Sequence, residues 1–197
     1  MTRAARRASA VAVGWLAAAA TAQESERNAA SLFDAGDIIF LQHMIVHHEQ
    51  AVVMSALVPS RSDRGELHRF ARYVARAQAA EIDLMQGLLD LAAERGIDVP
   101  EYHAHGDPPM AGMLSSAQID ALAAANGAEF KRLWLEGMIY HHQGALDMGG
   151  AQQRRQLKTG RRPYELAVLV EEIMVEQRAE TAKMRAWLGE WGLASPE

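Results

Sequence analysis

The feature that most constrains this chain is a segment written twice. Met44-Ile45-Val46-His47-His48-Glu49-Gln50-Ala51-Val52-Val53-Met54 aligns without gaps to Met138-Ile139-Tyr140-His141-His142-Gln143-Gly144-Ala145-Leu146-Asp147-Met148, and six of the eleven positions are identical. A second matched pair follows each copy: Gln78-x-x-Glu81-x-x-x-Met85 and Gln177-x-x-Glu180-x-x-x-Met184. The first pair is offset by 94 residues and the second by 99, so the connection in the second half is five residues longer. Two helices joined by a turn and then repeated give four apolar stripes, which can only be buried against one another. An all-helical four-helix bundle made of two repeated hairpins is the expected fold.

The periodicity sets the divisions. Apolar residues recur at helical spacing over residues 31–58 (Phe33, Phe40, Met44, Ala51, Val58), and Pro59-Ser60 ends the run. Ser62-Asp63 offers an N-cap to a second periodic segment through Leu67, Val74, Met85 and Leu89, which Gly96 closes. Residues 97–114 hold most of the local proline and glycine and read as a linker. Beyond it, Ser115-Ser116 caps a short helix, a longer helix runs to about Leu157, and Pro163 opens the last, which ends near Gly192. The expected divisions are a lead-in at 23–33, a first hairpin at 34–96, a second at 115–192 and a tail at 193–197. No segment shows sustained strand alternation.

Residues 1–22 stand apart. Arg3, Arg6 and Arg7 precede an apolar run at residues 8–20, and Ala20-Thr21-Ala22 matches a small-x-small cleavage site, the pattern of a secretory signal peptide. The run falls short of the ~20 apolar residues a membrane span needs, and none of that length follows. The expected compartment is periplasmic or extracellular. Without residues 1–22 the formal net charge of −5 becomes about −8, which argues against a nucleic-acid partner. The absence of cysteine excludes disulfides, thiolate zinc sites, iron–sulfur clusters and covalently attached haem.

The chemistry lies on the duplicated stripes. At about 100° per residue, with Met44 as origin, His47 falls near −60° and His48 near +40°, so both flank the buried stripe. With Gln78 as origin, Glu81 sits at about −60°, inside the apolar face of the second helix, as Glu180 does relative to Gln177. Counting back from the turns, each hairpin brings Gln78 and Glu81, or Gln177 and Glu180, to the depth of its histidine pair. Methionines at helical spacing are ordinarily core filler, and a lone histidine there is ordinarily a hydrogen-bonded core residue. Leucine would satisfy packing, however, and the same Met/His arrangement is present twice. A buried glutamate also needs a partner, since an unpaired one costs several kcal/mol. Imidazole with thioether favours Cu(I) over harder ions, and thioethers survive an oxidising compartment. The linker adds His103, His105, Met110 and Met113 as accessory ligands or, equally, as an ordinary polar loop.

The doubled Met-Ile-x-His-His-x-x-Ala-x-x-Met motif, the Gln-x-x-Glu-x-x-x-Met segments and Met110-Ala111-Gly112-Met113 resemble domain-of-unknown-function family 305, a ferritin-like exported family. The resemblance spans about residues 34–191. It implies a ferritin-like fold and a copper-handling role in homeostasis, resistance or delivery, with other copper-handling proteins as partners. The positions matching the family's motifs are Met44, His47, His48, Met54, Met138, His141, His142 and Met148, with Gln78, Glu81, Gln177 and Glu180 behind them. Lys131 departs from the first half, which has Asp37. No catalytic residue is expected. A di-iron protein would need Glu-x-x-His pairs, which the chain lacks. A b-type haem protein and a metal-free helical interaction module stay open as alternatives.

Overall fold

A computed structural model describes residues 33–101 and 110–194, and all regular structure among them is helical. Four long helices carry the fold: α1 (Ala35–Ala56), α3 (Gly65–Glu94), α5 (Gly127–Thr159) and α6 (Tyr164–Glu190); α2 (Val58–Arg61) and α4 (Ser116–Ala124) are short. The expected leader and linker histidines lie outside the described residues.

Local chemistry explains the ends. Asp34 accepts from the Asp37 backbone N–H at 3.1 Å while the Asp37 carboxylate accepts from the Asp34 N–H at 3.0 Å, a reciprocal cap that starts α1. Ser115 and Gln118 start α4 in the same way. Pro59 lacks an N–H and is tolerated only in a first turn, so α1 stops and the single turn α2 begins beside it. The N-cap of α3 differs from expectation: the helix opens after Arg64, and Ser62 Oγ accepts the Arg64 N–H at 3.1 Å just outside it. Gly160, at φ 68°, closes α5 in the left-handed conformation that glycine permits.

α1 packs along α3 and α5 along α6, while α1 crosses α5. The α1–α5 contact is antiparallel: Trp134 Nε1 donates to the Met54 carbonyl at 3.1 Å, the His47 and His141 rings lie 3.7 Å apart, and Gln152 Nε2 donates to Asp37 at 2.6 Å. Duplicated residues therefore meet each other at His47 and His141, on a pseudo-two-fold axis. The departure at Lys131 is accommodated locally. Asp37 pairs with Arg155 and Gln152, whereas Lys131 reaches out to Asp63 at 3.0 Å.

The apolar interior is divided. One cluster contains Ala51, Met54, Val74, Trp134, Met138 and Met184; the other contains Met44, Met85, Ala145, Ile173 and Met174. Burying each such large side chain is worth roughly 1.5–3 kcal/mol. Every long helix passes from one cluster to the other, and the polar residues lie at the crossing. α3 and α6 touch little, leaving a groove between them in two sections of about 750 and 530 Å³. No helix among the described residues is long and apolar enough to cross a membrane.

Candidate metal centre

Between the two clusters lies one polar layer to which each long helix contributes two side chains: His47 and His48 from α1, Gln78 and Glu81 from α3, His141 and His142 from α5, Gln177 and Glu180 from α6. All eight are buried, and the four histidines are 0% exposed. A buried polar group without a partner costs about 1–3 kcal/mol. Leucine at these positions would give a continuous core, so the layer is held against stability.

Each histidine places its Nε2 against an oxygen. His48 Nε2 lies 2.8 Å from Glu81 Oε2 and His142 Nε2 2.6 Å from Glu180 Oε2. His47 Nε2 donates to the Ala111 carbonyl at 3.1 Å, and His141 Nε2 donates to the His47 carbonyl at 2.8 Å. A carbonyl only accepts, so His47 and His141 carry the proton on Nε2, and the Glu81 and Glu180 carboxylates, when ionised, accept from Nε2 and select the same tautomer for His48 and His142. Burial pushes His47 and His48 down to about 3, helped by the charge each histidine would feel from its neighbours, and holds His141 well below its ordinary value for the same reason. These rings are therefore neutral, with a bare lone pair on Nδ1. All four Nδ1 atoms are buried and have no hydrogen-bond partner among the described residues; the same is true of both amide ends of Gln78 and Gln177.

The same desolvation acts on the carboxylates. Burial, and then the facing Glu180, pushes Glu81 up to about 7. Glu81 and Glu180 sit at the floor of the α3–α6 groove, whose walls add Glu171, Glu172 and Glu176. Glu176 is raised as well, by burial first and then by Glu81 and Glu180.

The thioethers lie above and below the layer. Met44 and Met138 stand one turn before the histidines on the same buried faces and are 0% exposed. Met85 and Met184 stand one turn beyond Glu81 and Glu180, equally buried; the repeat marks them, but residue counting alone assigns them no role. Met54 lies two turns from His47, inside one cluster, where its carbonyl holds Trp134, and the matching Met148 is only partly buried against the other cluster. Met110 and Met113 are half-buried in the linker; His103 and His105 lie outside the described residues.

The donor set is soft and sparse. Rings on adjacent residues are 6.3 Å apart for His47–His48 and 6.1 Å for His141–His142, so each pair diverges. Among the described residues, no three His, Asp or Glu side chains converge closely enough to hold a metal ion. Imidazole Nδ1 with thioether sulfur suits a soft ion that accepts few ligands.

The chain is similar over most of its length to proteins of known structure. A domain-of-unknown-function 305 protein of Streptomyces coelicolor, described as secreted, is 30% identical, with a TM-score of 0.66 over 80% of this chain and 92% of that one. A fragment from Deinococcus radiodurans of the same family is 28% identical with a TM-score of 0.66, covering 80% of this chain and 97% of its own. The protein CopM in its Cu(I)-bound form is 28% identical with a TM-score of 0.61, covering 79% and 96%. Among curated proteins none matches significantly. The family model for the domain of unknown function DUF305 matches residues 37–188, nearly all of the helical chain, and the protein belongs to that family.

Proposed function

We propose that this is an exported, non-enzymatic copper-binding protein, a ferritin-like four-helix bundle of two hairpins that takes up Cu(I) in its buried polar layer for copper homeostasis, resistance or delivery. The observation that carries this reading is the set of four buried Nδ1 lone pairs, each turned into a ligand by a hydrogen bond at Nε2, with Met44 and Met138 one turn away. A carboxylate or carbonyl behind a metal-binding imidazole fixes its tautomer and raises its basicity. Once ionised, Glu81 and Glu180 also supply negative charge beside an arriving cation, offsetting the cost of burying it. CopM has structures with Cu(I), Cu(II) and silver bound, which supports a soft-metal role for this relative.

The test is a competition titration of the mature protein under reducing conditions. The expected result is tighter binding of Cu(I) than of Zn(II); equal or stronger zinc binding overturns the copper assignment. A second reading, a metal-free helical interaction module, is favoured by the lack of any converging group of three His, Asp or Glu among the described residues. It gains if dialysed protein takes up no Cu(I) at all.

A further inference from the structure

Three histidines of the layer donate to partners on the long helices, and His47 does not. Its acceptor is the Ala111 carbonyl, in the linker after the first hairpin, so the ring's state depends on where residues 110–114 run. Several features fix that path. Gln50 brackets Leu114, its Nε2 donating to the Leu114 carbonyl at 2.9 Å and its Oε1 accepting the Leu114 N–H at 2.8 Å. Leu114 itself is buried against Gly137. Gly112 adopts φ 80°, and a Cβ there would stand 2.7 Å from both Gly144 Cα and the His141 carbonyl. A Cβ on Gly144 would overlap the Ala111 carbonyl outright.

Gln50 and Gly144 are the same position of the duplicated segment. One copy has a side chain that grips the linker, and the other has none, so that the linker's backbone can lie against the helix. The linker thus occupies one side of the pseudo-two-fold axis, where Gly112 approaches the His141 carbonyl. His141 donates to the His47 carbonyl, but His47 donates to Ala111.

We propose that residues 110–114 form a strap whose backbone carbonyl holds His47 in the Nε2–H tautomer, and that Gln50 and Gly144 are positioning residues for this ligand. The inference rests on the copper reading for its purpose, but the geometry it describes is metal-free. It makes the two halves of the layer unequal: three histidines are set by the helices and one by a short segment held at Gln50 and Leu114.

The experiment follows imidazole nitrogen-15 shifts in metal-free full-length protein together with Cu(I) affinity, in Gln50→Ala and Gly144→Ala. Gln50→Ala removes the clamp without adding bulk, so it guards against misfolding caused by the Gly144 clash. The expected result is a helical protein in which His47 becomes a mixture of tautomers while His48 and His142 keep Nε2–H. Cu(I) affinity should fall 10–100-fold, the usual effect of losing a partner behind a metal ligand. An unchanged His47 tautomer in both variants overturns the proposal. So does unfolding of both, which would make the segment ordinary core packing. If His47 shifts as expected but the parent binds no Cu(I), the strap stands and the copper reading falls.

Discussion

At the scale of single residues, protons compete with any metal for the histidine layer, and the sign of that competition follows from burial. Above about pH 6.5 the rings of His47, His48 and His141 are neutral in folded and unfolded chains alike, and contribute no pH dependence. As pH falls from 6.5 toward 3 the unfolded chain takes up protons that the folded chain refuses. Stability is then lost through each imidazole that the folded chain keeps neutral. Glu81 acts in the opposite sense: its folded value of about 7 exceeds the ordinary 4.5, so it adds stability as pH falls through that window. Glu176 and Asp37 are raised in the same sense, but the large downward displacement of the fully buried imidazoles dominates. Metal-free melting temperature should therefore drop below pH 6.5 and drop more steeply below 4.5; a flat profile from pH 7 to 4 would contradict neutral buried rings. Glu81→Gln and Glu180→Gln keep an oxygen for Nε2–H but remove the charge. Both should fold and bind Cu(I) less tightly, and unchanged affinity in both would take the carboxylates out of the site. The level of Glu81 and Glu180 was readable in the sequence because helix geometry converts spacing into depth. The Nε2 partner of His47 was not, because a backbone carbonyl leaves no mark on residue type.

At the scale of elements, the caps and breaks carry the argument. Asp34 both caps α1 and faces Arg155 of α5, with Nη1 at 2.6 Å from Oδ1, so one side chain starts a helix and fixes how it crosses another. The Arg155 guanidinium lowers Asp34 against the opposing effect of burial. Asp34→Ala should cost about 1–2 kcal/mol through the cap, read as a lower midpoint in urea with helix content retained. A loss below a few tenths of a kcal/mol would mean that Asp37 and Arg155 hold the end without it. The four long helices and α4 were legible, since apolar periodicity and Pro59, Gly96 and Pro163 are local signals; the single turn α2 was not, because Pro59 reads as a stop and instead sits in a first turn. The start of α3 was not, because Ser62-Asp63 looks like a cap by type while the chain enters the helix two residues later. The mismatch of Gln50 with Gly144 reads as ordinary divergence in a repeat until the linker between them is seen.

At the scale of the whole molecule, charge and cavity work together. The chain is acidic overall, and the groove between α3 and α6 gathers Glu171, Glu172 and Glu176 above Glu81 and Glu180. Arg69 and Lys183 stand in the larger section, but the smaller one, lined by Glu81, Glu171, Glu172 and Glu176, carries a single sign of charge, which concentrates a cation and steepens the salt dependence of its arrival. Glu172→Gln with Glu176→Gln should therefore slow Cu(I) association at low salt and flatten its dependence on ionic strength, with little change in the final affinity. Equal rates for parent and variant would place the entrance elsewhere.

The polar layer has a further consequence, for how the fold breathes. With the apolar contacts interrupted at mid-length, the two ends communicate through helix backbones and four imidazole hydrogen bonds, so neither end is obliged to open when the other does. Backbone amides around Trp134 and Leu67 should exchange with solvent as one cooperative group, and those around Leu41 and Leu166 as another, each with its own opening energy. A ligand seated in the layer would weld the groups together, and the two protection levels should then converge on one.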